Sequence, residues 1–160
     1  MTKFNSLQQQ AYDRAAFLCS RSEKSSGSIR KKLAGWGLEQ EDAQAVLKKL
    51  TDGHFIDDER FACSYVKDKF RFNKWGKIRI AWQLKLEQIP AVVISRALEE
   101  ISDEAYEDLL LKLLAAKNKT IGKVSPPERR ARLMRFAQSR GFETGLIHSV
   151  IDRMGLKDDD

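Results

Sequence analysis

Apolar residues along the chain recur at the spacing of helix faces, and one face pattern occurs three times. Leu38, Ala43, Val46, Leu47 and Leu50 stand at offsets 0, 5, 8, 9 and 12. Ile89, Ile94, Ala97, Leu98 and Ile101 repeat these offsets, as do Phe142, Ile147, Val150, Ile151 and Met154, so the copies lie 51 and 53 residues apart. Ahead of each set comes a second apolar pair: Ile29 with Leu33, Ile80 with Leu84, Leu133 with Ala137. Further back, Ala11, Tyr12, Ala15 and Ala16 align with Phe61, Ala62, Tyr65 and Val66, then with Ala105, Tyr106, Leu109 and Leu110, a helix stripe in each case. The pattern predicts an all-α protein of three tandem three-helix repeats, over residues 7–53, 54–101 and 102–155, with a polar, acidic tail at 156–160. One such unit buries little by itself. Three that share apolar faces are expected to form an elongated, curved array.

Capping signals mark the joints. Asp57 or Asp58 is placed to cap the helix carrying Phe61, and Ser102 the helix that follows Ile101. Ser125-Pro126-Pro127-Glu128 reads as a cap, a proline at the first helical position and a capping box. Gly37 and Gly141 stand at matching helix-to-helix turns, where a left-handed residue ends a helix. The middle repeat has Gln88 there, followed by Pro90. Residues 117–124 read as the one long loop.

Composition narrows the class. Hydrophobic residues make up 42% and charged residues 32%, a globular balance, and nine Gly with three Pro argue against a turn-rich fold. No apolar run approaches the roughly 18 residues of a membrane span, and the polar start through Gln8-Gln9-Gln10 holds no signal-peptide core. A cytoplasmic monomer with two reduced thiols, Cys19 and Cys63, is expected.

The net charge of +6 is unevenly distributed. Residues 21–32 carry +4, residues 67–85 carry +6 and residues 117–140 carry +7, whereas residues 99–108 hold six acids and no base. The basic windows fall at equivalent places in the three repeats. They are expected to line up as a stripe suited to a phosphate backbone or an acidic protein groove. Lys67, Lys69, Arg71, Lys74, Lys77 and Arg79 are the first candidates for docking, followed by Arg129, Arg130, Arg132 and Arg135. Trp36, Phe70, Phe72, Trp75 and Trp82 lie near the stripe; packing is their ordinary use, base stacking the alternative.

Chemistry is sparse. Arg71 and Lys117 occupy the places where a phosphate-binding loop needs its first glycine, ahead of Gly76-Lys77 and Gly122-Lys123. His54 and His148 belong to no metal or nucleophile motif, and Asp57-Asp58-Glu59 reads as cap and dipole partners before it reads as a Mg²⁺ site. No cofactor, no metal and no catalytic residue is expected.

The stretch Phe55-Ile56-Asp57-Asp58-Glu59-Arg60-Phe61-Ala62, followed by Tyr65-Val66, resembles the central signature of the RecX family of recombination regulators. Gly76, Ile80, Leu84 and Ile89 resemble its second-helix pattern, and Arg132-Leu133 with Arg140-Gly141-Phe142 and Ile147 resemble its C-terminal repeat. The sequence departs from the family where His54 replaces a usual Gly before the aromatic and where Gln88 replaces a usual Gly. The resemblance implies a non-enzymatic modulator of the RecA recombinase. Such a modulator lodges in the groove of the nucleoprotein filament and restrains ATPase, strand-exchange and coprotease activities. DNA, single- or double-stranded, would be met directly or through the filament. Signature residues Asp57, Asp58, Arg60, Phe61 and Gly76 then read as caps and packing between units. Two other readings stand beside it. One is a helix-turn-helix DNA binder, disfavoured because Glu39, Glu41 and Asp42 make the first repeat's third helix acidic. The other is a helical adaptor for some other acidic protein.

Overall fold

The computed structural model describes residues 3–156. Met1, Thr2 and the tail residues Lys157-Asp158-Asp159-Asp160 lie outside the described residues. The described residues form nine helices and no strand. They are α1 (Ser6–Arg21), α2 (Ser26–Gly35), α3 (Gln40–Asp52), α4 (Asp58–Arg71), α5 (Lys77–Leu86), α6 (Ala91–Leu98), α7 (Asp103–Thr120), α8 (Pro126–Ser139) and α9 (Thr144–Arg153). Their lengths run from 8 to 18 residues. Contrary to the loop expected over 117–124, α7 continues through Thr120, and Lys117 and Lys119 in its last turn complement the helix dipole.

The chain divides into two compact units. One holds the residues up to Tyr65 with Leu84–Ala97, the other Val66–Gln83 with the residues from Leu98 onward. The division passes through α4 and α5, so the middle repeat is shared between the units.

In the first unit, α1, α2 and α3 bury one core that includes Ala11, Ala15, Ile29, Leu33, Val46 and Leu50. Tyr12, Trp36 and Phe55 pack at its edge. In the second unit, α7, α8 and α9 pack on one another, burying Leu110, Leu114, Leu133, Ala137, Phe142, Ile147 and Ile151.

Burial corrects one register. In the middle and last repeats the deepest first-helix residues are Ala62 with Val66 and Tyr106 with Leu110; in the first they are Ala11 and Ala15. Ala11 therefore corresponds to Ala62, not to Phe61, and Ala105 is exposed. The corrected offset is the same 51 residues found downstream. The row of small residues in α1 hid the shift, because Ala fits a buried or a half-buried place alike.

Four helix ends share one device. Gly37, Gln88 and Gly141 have φ of 94°, 64° and 96°, and His54 has φ 61°. Beyond each, an N–H reaches back to close the last turn: Leu38 to Leu33 O, Ile89 to Leu84 O, Phe142 to Ala137 O, and Phe55 to Leu50 O. Together with the inner bonds from Gly37, Gln88, Gly141 and His54 these are Schellman motifs. At His54 and Gln88 this chain places a side-chain-bearing residue in the backbone region that glycine tolerates best.

Helix starts follow the capping signals with two corrections. Ser102 Oγ accepts from Ala105 N–H, Ser125 Oγ from Glu128 N–H, and Asp57 Oδ1 from Arg60 N–H. Glu128 does not close a capping box; its carboxylate pairs with Arg132 at 2.9 Å. Asp58 does not cap its own helix. It accepts from Ser26 N–H at 2.8 Å and Ser26 Oγ–H at 2.7 Å, tying α4 to the start of α2 within the first unit.

Candidate functional site

The basic residues sort by what holds them. In the second unit, Lys67, Arg71, Lys74 and Arg79 are exposed, and Lys69 and Lys77 are half-buried against rings. Trp75 organises this end of the site. Arg79 Cζ lies 4.2 Å and Lys69 Nζ 5.1 Å from its ring centroid, cation–π contacts that fix two positive charges beside one half-buried indole. Lys74 adopts φ 57°, turning the chain between α4 and α5.

Gly76 explains its place in the pattern. Its N–H donates to Arg140 O at 2.7 Å, and Ile78 N–H donates to Gly141 O at 3.0 Å. A Cβ on Gly76 would sit 2.3 Å from Gly141 O, so backbone must meet backbone here. Lys77 N–H then donates to the Tyr106 hydroxyl at 2.8 Å, and that hydroxyl donates to Glu143 Oε1. Burial, and then the bond to Glu143, push the Tyr106 phenol far above its ordinary range. These bonds bring the start of α5 onto the α8–α9 turn. Arg79 reaches Ser139 O at 3.3 Å, and its backbone lies against Gly141. The second and third basic windows therefore meet within one compact unit.

The third window divides into two roles. Arg129 is a latch: it donates to Asn118 O and Oδ1 and to Gly122 O, pinning the end of α7 and the loop after it. Arg130 pairs with Asp152 at 3.0 Å and sits 2.9 Å from His148 Nδ1, joining α8 to α9. Arg132 and Arg135 instead line an open cleft with Lys117, Thr120, Ile121 and Phe136. Lys117 Nζ and Arg140 Cζ lie 5.4 Å and 5.2 Å from the Phe136 ring centroid. Glu128 offsets part of this charge through its pair with Arg132. Lys117, outside the first candidates, lines this cleft with Arg132 and Arg135; the loop expected over 117–124 hid its place in the last turn of α7.

In the first unit, Lys31 and Lys32 line a shallow cleft with Gly27, Ser28, Leu86, Glu87 and Gln88. Signature residue Arg60 is a positioning group. It pairs with Glu23 at 2.6 Å and donates to His54 O and Phe55 O, closing the end of α3 against α4. The bond to Glu23 raises its pKa further above the usual guanidinium value. Phe61 is half-buried, its ring centroid 5.8 Å from that of Tyr65.

The aromatic residues near the windows do not behave alike. Trp36, Phe70 and Trp75 are half-buried in packing, whereas Phe72 and Trp82 are 71% and 58% exposed, against the packing expectation. Ile78 and Leu86 are exposed too, and sequence reading missed both. The signal was present: Ile78, Ile80, Trp82, Leu84 and Leu86 alternate with other residues. On a helix that alternation gives two apolar faces instead of one.

Cys19 and Cys63 are free and half-buried, and burial raises the Cys19 thiol pKa. Among the described residues no group of His, Cys, Asp and Glu is placed to hold a metal ion, and no helix is long and apolar enough to cross a membrane.

Fold and site thus define a tandem three-helix protein whose distinctive surfaces are basic and aromatic. The first, second and third three-helix domains of RecX match residues 11–50, 57–98 and 104–151. Regulatory protein RecX of Vibrio campbellii is 30% identical over 126 residues, covering 78% of this chain and 79% of the relative. That of Prosthecochloris aestuarii is 27% identical over 146 residues, covering 91% and 94%. The chain spans 45% of the length of its relatives from Lactobacillus johnsonii and Lactobacillus gasseri. The crystal structure of RecX from Lactobacillus salivarius superposes with a TM-score of 0.87 at 18% identity, covering 94% of this chain and 98% of that one, which is a likeness of fold. The chain belongs to the RecX family. Its relatives are named regulatory proteins.

Proposed function

We propose that this chain is a non-enzymatic, cytoplasmic regulator that binds the RecA nucleoprotein filament and restrains its ATPase, recombinase and coprotease activities. The supporting observation is the convergence of two basic windows in the second unit, around Trp75 and the α5 to α8–α9 junction. There Lys67, Arg71 and Lys74 remain exposed, whereas Arg79 is held by Trp75 and Ser139 O and Arg129 and Arg130 are engaged within the fold. Exposed cations held on rigid helices suit an acidic protein groove and the phosphates it carries. In this reading the repeats at 7–53, 54–101 and 102–155 are docking modules, and preference for one filament state shifts assembly or turnover.

Charge reversal tests the reading. A Lys67→Glu, Arg71→Glu, Lys74→Glu variant is expected to bind RecA filaments on single-stranded DNA about tenfold or more weakly, with an unchanged melting temperature. Unchanged binding, with Arg135→Glu abolishing it, would move the contact to the Lys117–Arg132–Arg135 cleft. A second reading, direct double-stranded DNA binding, gains support if salt-sensitive DNA affinity is the same with and without RecA.

A further inference from the structure

The turn after α4 carries the most exposed large apolar side chain among the described residues: Phe72, 71% exposed. Phe70, two residues earlier, packs on Tyr106 with ring centroids 6.2 Å apart, and Trp75 has Arg79 and Lys69 over its ring. Among the described residues no ring and no cation stacks on Phe72, so its ring is free to take a partner. Its place is fixed nonetheless. Phe72 N–H donates to Asp68 O at 2.8 Å, Trp75 N–H to Lys69 O at 3.1 Å and Gly76 N–H to Arg140 O at 2.7 Å, with Lys74 at φ 57° within the turn. All of these residues belong to the second unit. One exposed ring is ordinary by itself. This one stands among charges: residues 67–74 hold four cations against Asp68 alone. Of these, Lys67, Arg71 and Lys74 are exposed, and among the described residues no acid, ring or hydrogen-bond acceptor engages their side chains.

We infer that Phe72 is a stacking platform for an unpaired base of single-stranded nucleic acid, with Lys67, Arg71 and Lys74 on the phosphates that flank that base. The inference goes beyond the filament-binding function and does not depend on it, because it concerns a bare strand. Every base has a flat π face, and a single strand joins such faces to a charged backbone. Phosphates meet Lys and Arg at the surface, where the cations keep much of their water. A pocket on a protein partner fits less well. Rings that anchor protein interfaces sit at the dry centre of the contact. Arg71, Asn73 and Lys74 beside Phe72 are exposed and polar, and burying them with the ring would strip their water. Duplex DNA also fits less well, because its bases are already stacked and opening a step costs free energy.

The test uses the full chain with Phe72→Ala, Phe72→Leu and Phe72→Trp variants. The ring is mostly exposed, so circular dichroism and melting temperature are expected to match the parent. Binding is measured by anisotropy to oligo-dT of about 16 nucleotides, to oligo-U and a DNA duplex of the same length, to the same DNA backbone without bases, and to preformed RecA filaments. The parent is expected to bind oligo-dT more tightly than the duplex or the abasic strand; the tighter of oligo-dT and oligo-U identifies the source of the strand. Phe72→Ala and Phe72→Leu are expected to lose about tenfold on oligo-dT, the order that one stacked base contributes. On the abasic strand their losses are expected to stay within twofold, and Phe72→Trp is expected to keep the parent affinity throughout. Leucine keeps an apolar side chain without a flat face, so it separates stacking from the filling of a pocket. A Lys67→Gln, Arg71→Gln, Lys74→Gln variant is expected to lower the slope of log affinity against log salt by about 2, and an unchanged slope overturns the inference. Equal losses on the abasic strand, or a duplex bound as tightly as the single strand, overturn it too. So does Phe72→Ala that keeps its affinity for oligo-dT and weakens filament binding alone, which makes the ring a protein contact. A parent that binds neither single strand also overturns it and leaves the proposed function standing.

Discussion

Gly37 and Gly141 share one backbone conformation, φ 94° and 96°, but not one environment. A Cβ on Gly37 meets nothing within 4 Å, whereas on Gly141 it would lie 2.7 Å from Arg79 N and 2.4 Å from Arg79 Cβ. Gly37→Ala should therefore cost only the left-handed strain, roughly 1–2 kcal/mol. Gly141→Ala should cost a further ~1–3 kcal/mol for atoms forced into filled space. His54→Gly should stabilise by about 0.5–1 kcal/mol, the relief of strain less the freedom glycine adds to the unfolded chain. Urea titrations of the three variants check this; equal costs at Gly37 and Gly141 would deny the tight junction. Tyr106 makes a second residue-scale prediction. Its folded pKa is raised, so the unfolded chain loses this proton first as pH climbs. Stability from Tyr106 is complete below about pH 10 and falls above it, by about 1.4 kcal/mol per pH unit. Stability curves against pH should show a shallower alkaline fall in Tyr106→Phe, which should also cost about 1–3 kcal/mol at neutral pH for the unmade bonds to Lys77 N–H and Glu143.

At the scale of elements, the signature acids serve different joints. Asp57 caps α4, whereas Asp58 crosses to the N–H and hydroxyl of Ser26. Asp57→Ala is expected to cost about 1 kcal/mol, as a lost cap does. Asp58→Ala should cost more, up to about 3 kcal/mol, because it strips two bonds from a half-buried junction. Thermal melts measure both, and filament affinity at temperatures where the variants stay folded should not change; a selective loss of affinity would make Asp58 a contact residue. These joints also show what was legible in advance. The second and third helices of each repeat could be read because Ile, Leu and Val at fixed offsets have one good place, the core. The helix ends could be read because caps and left-handed turns demand particular residues. The register of α1 could not, because its alanines leave burial ambiguous. The side-chain destinations of Asp58, Glu128, Arg129 and Arg130 could not either, since they depend on elements far along the chain. The exposed row of α5 was overlooked because an apolar residue is by default assigned to the core.

For the whole molecule, charge count and charge use differ. The sequence shows +7 over residues 117–140, but Arg129 and Arg130 hold the fold together, while Lys119, Lys123 and Arg135 stay exposed. In the proposed function, the exposed cations of residues 67–79 and the Lys117–Arg132–Arg135 cleft serve an acidic partner. Docking of this kind weakens with salt, because exposed charges are screened over about 8–10 Å at physiological ionic strength. The most direct measurement is ATP hydrolysis by RecA on single-stranded DNA, titrated with this chain at two salt concentrations. The account predicts suppression at well below one chain per RecA protomer, with much of it lost at the higher salt. Hydrolysis unchanged at every ratio would contradict it.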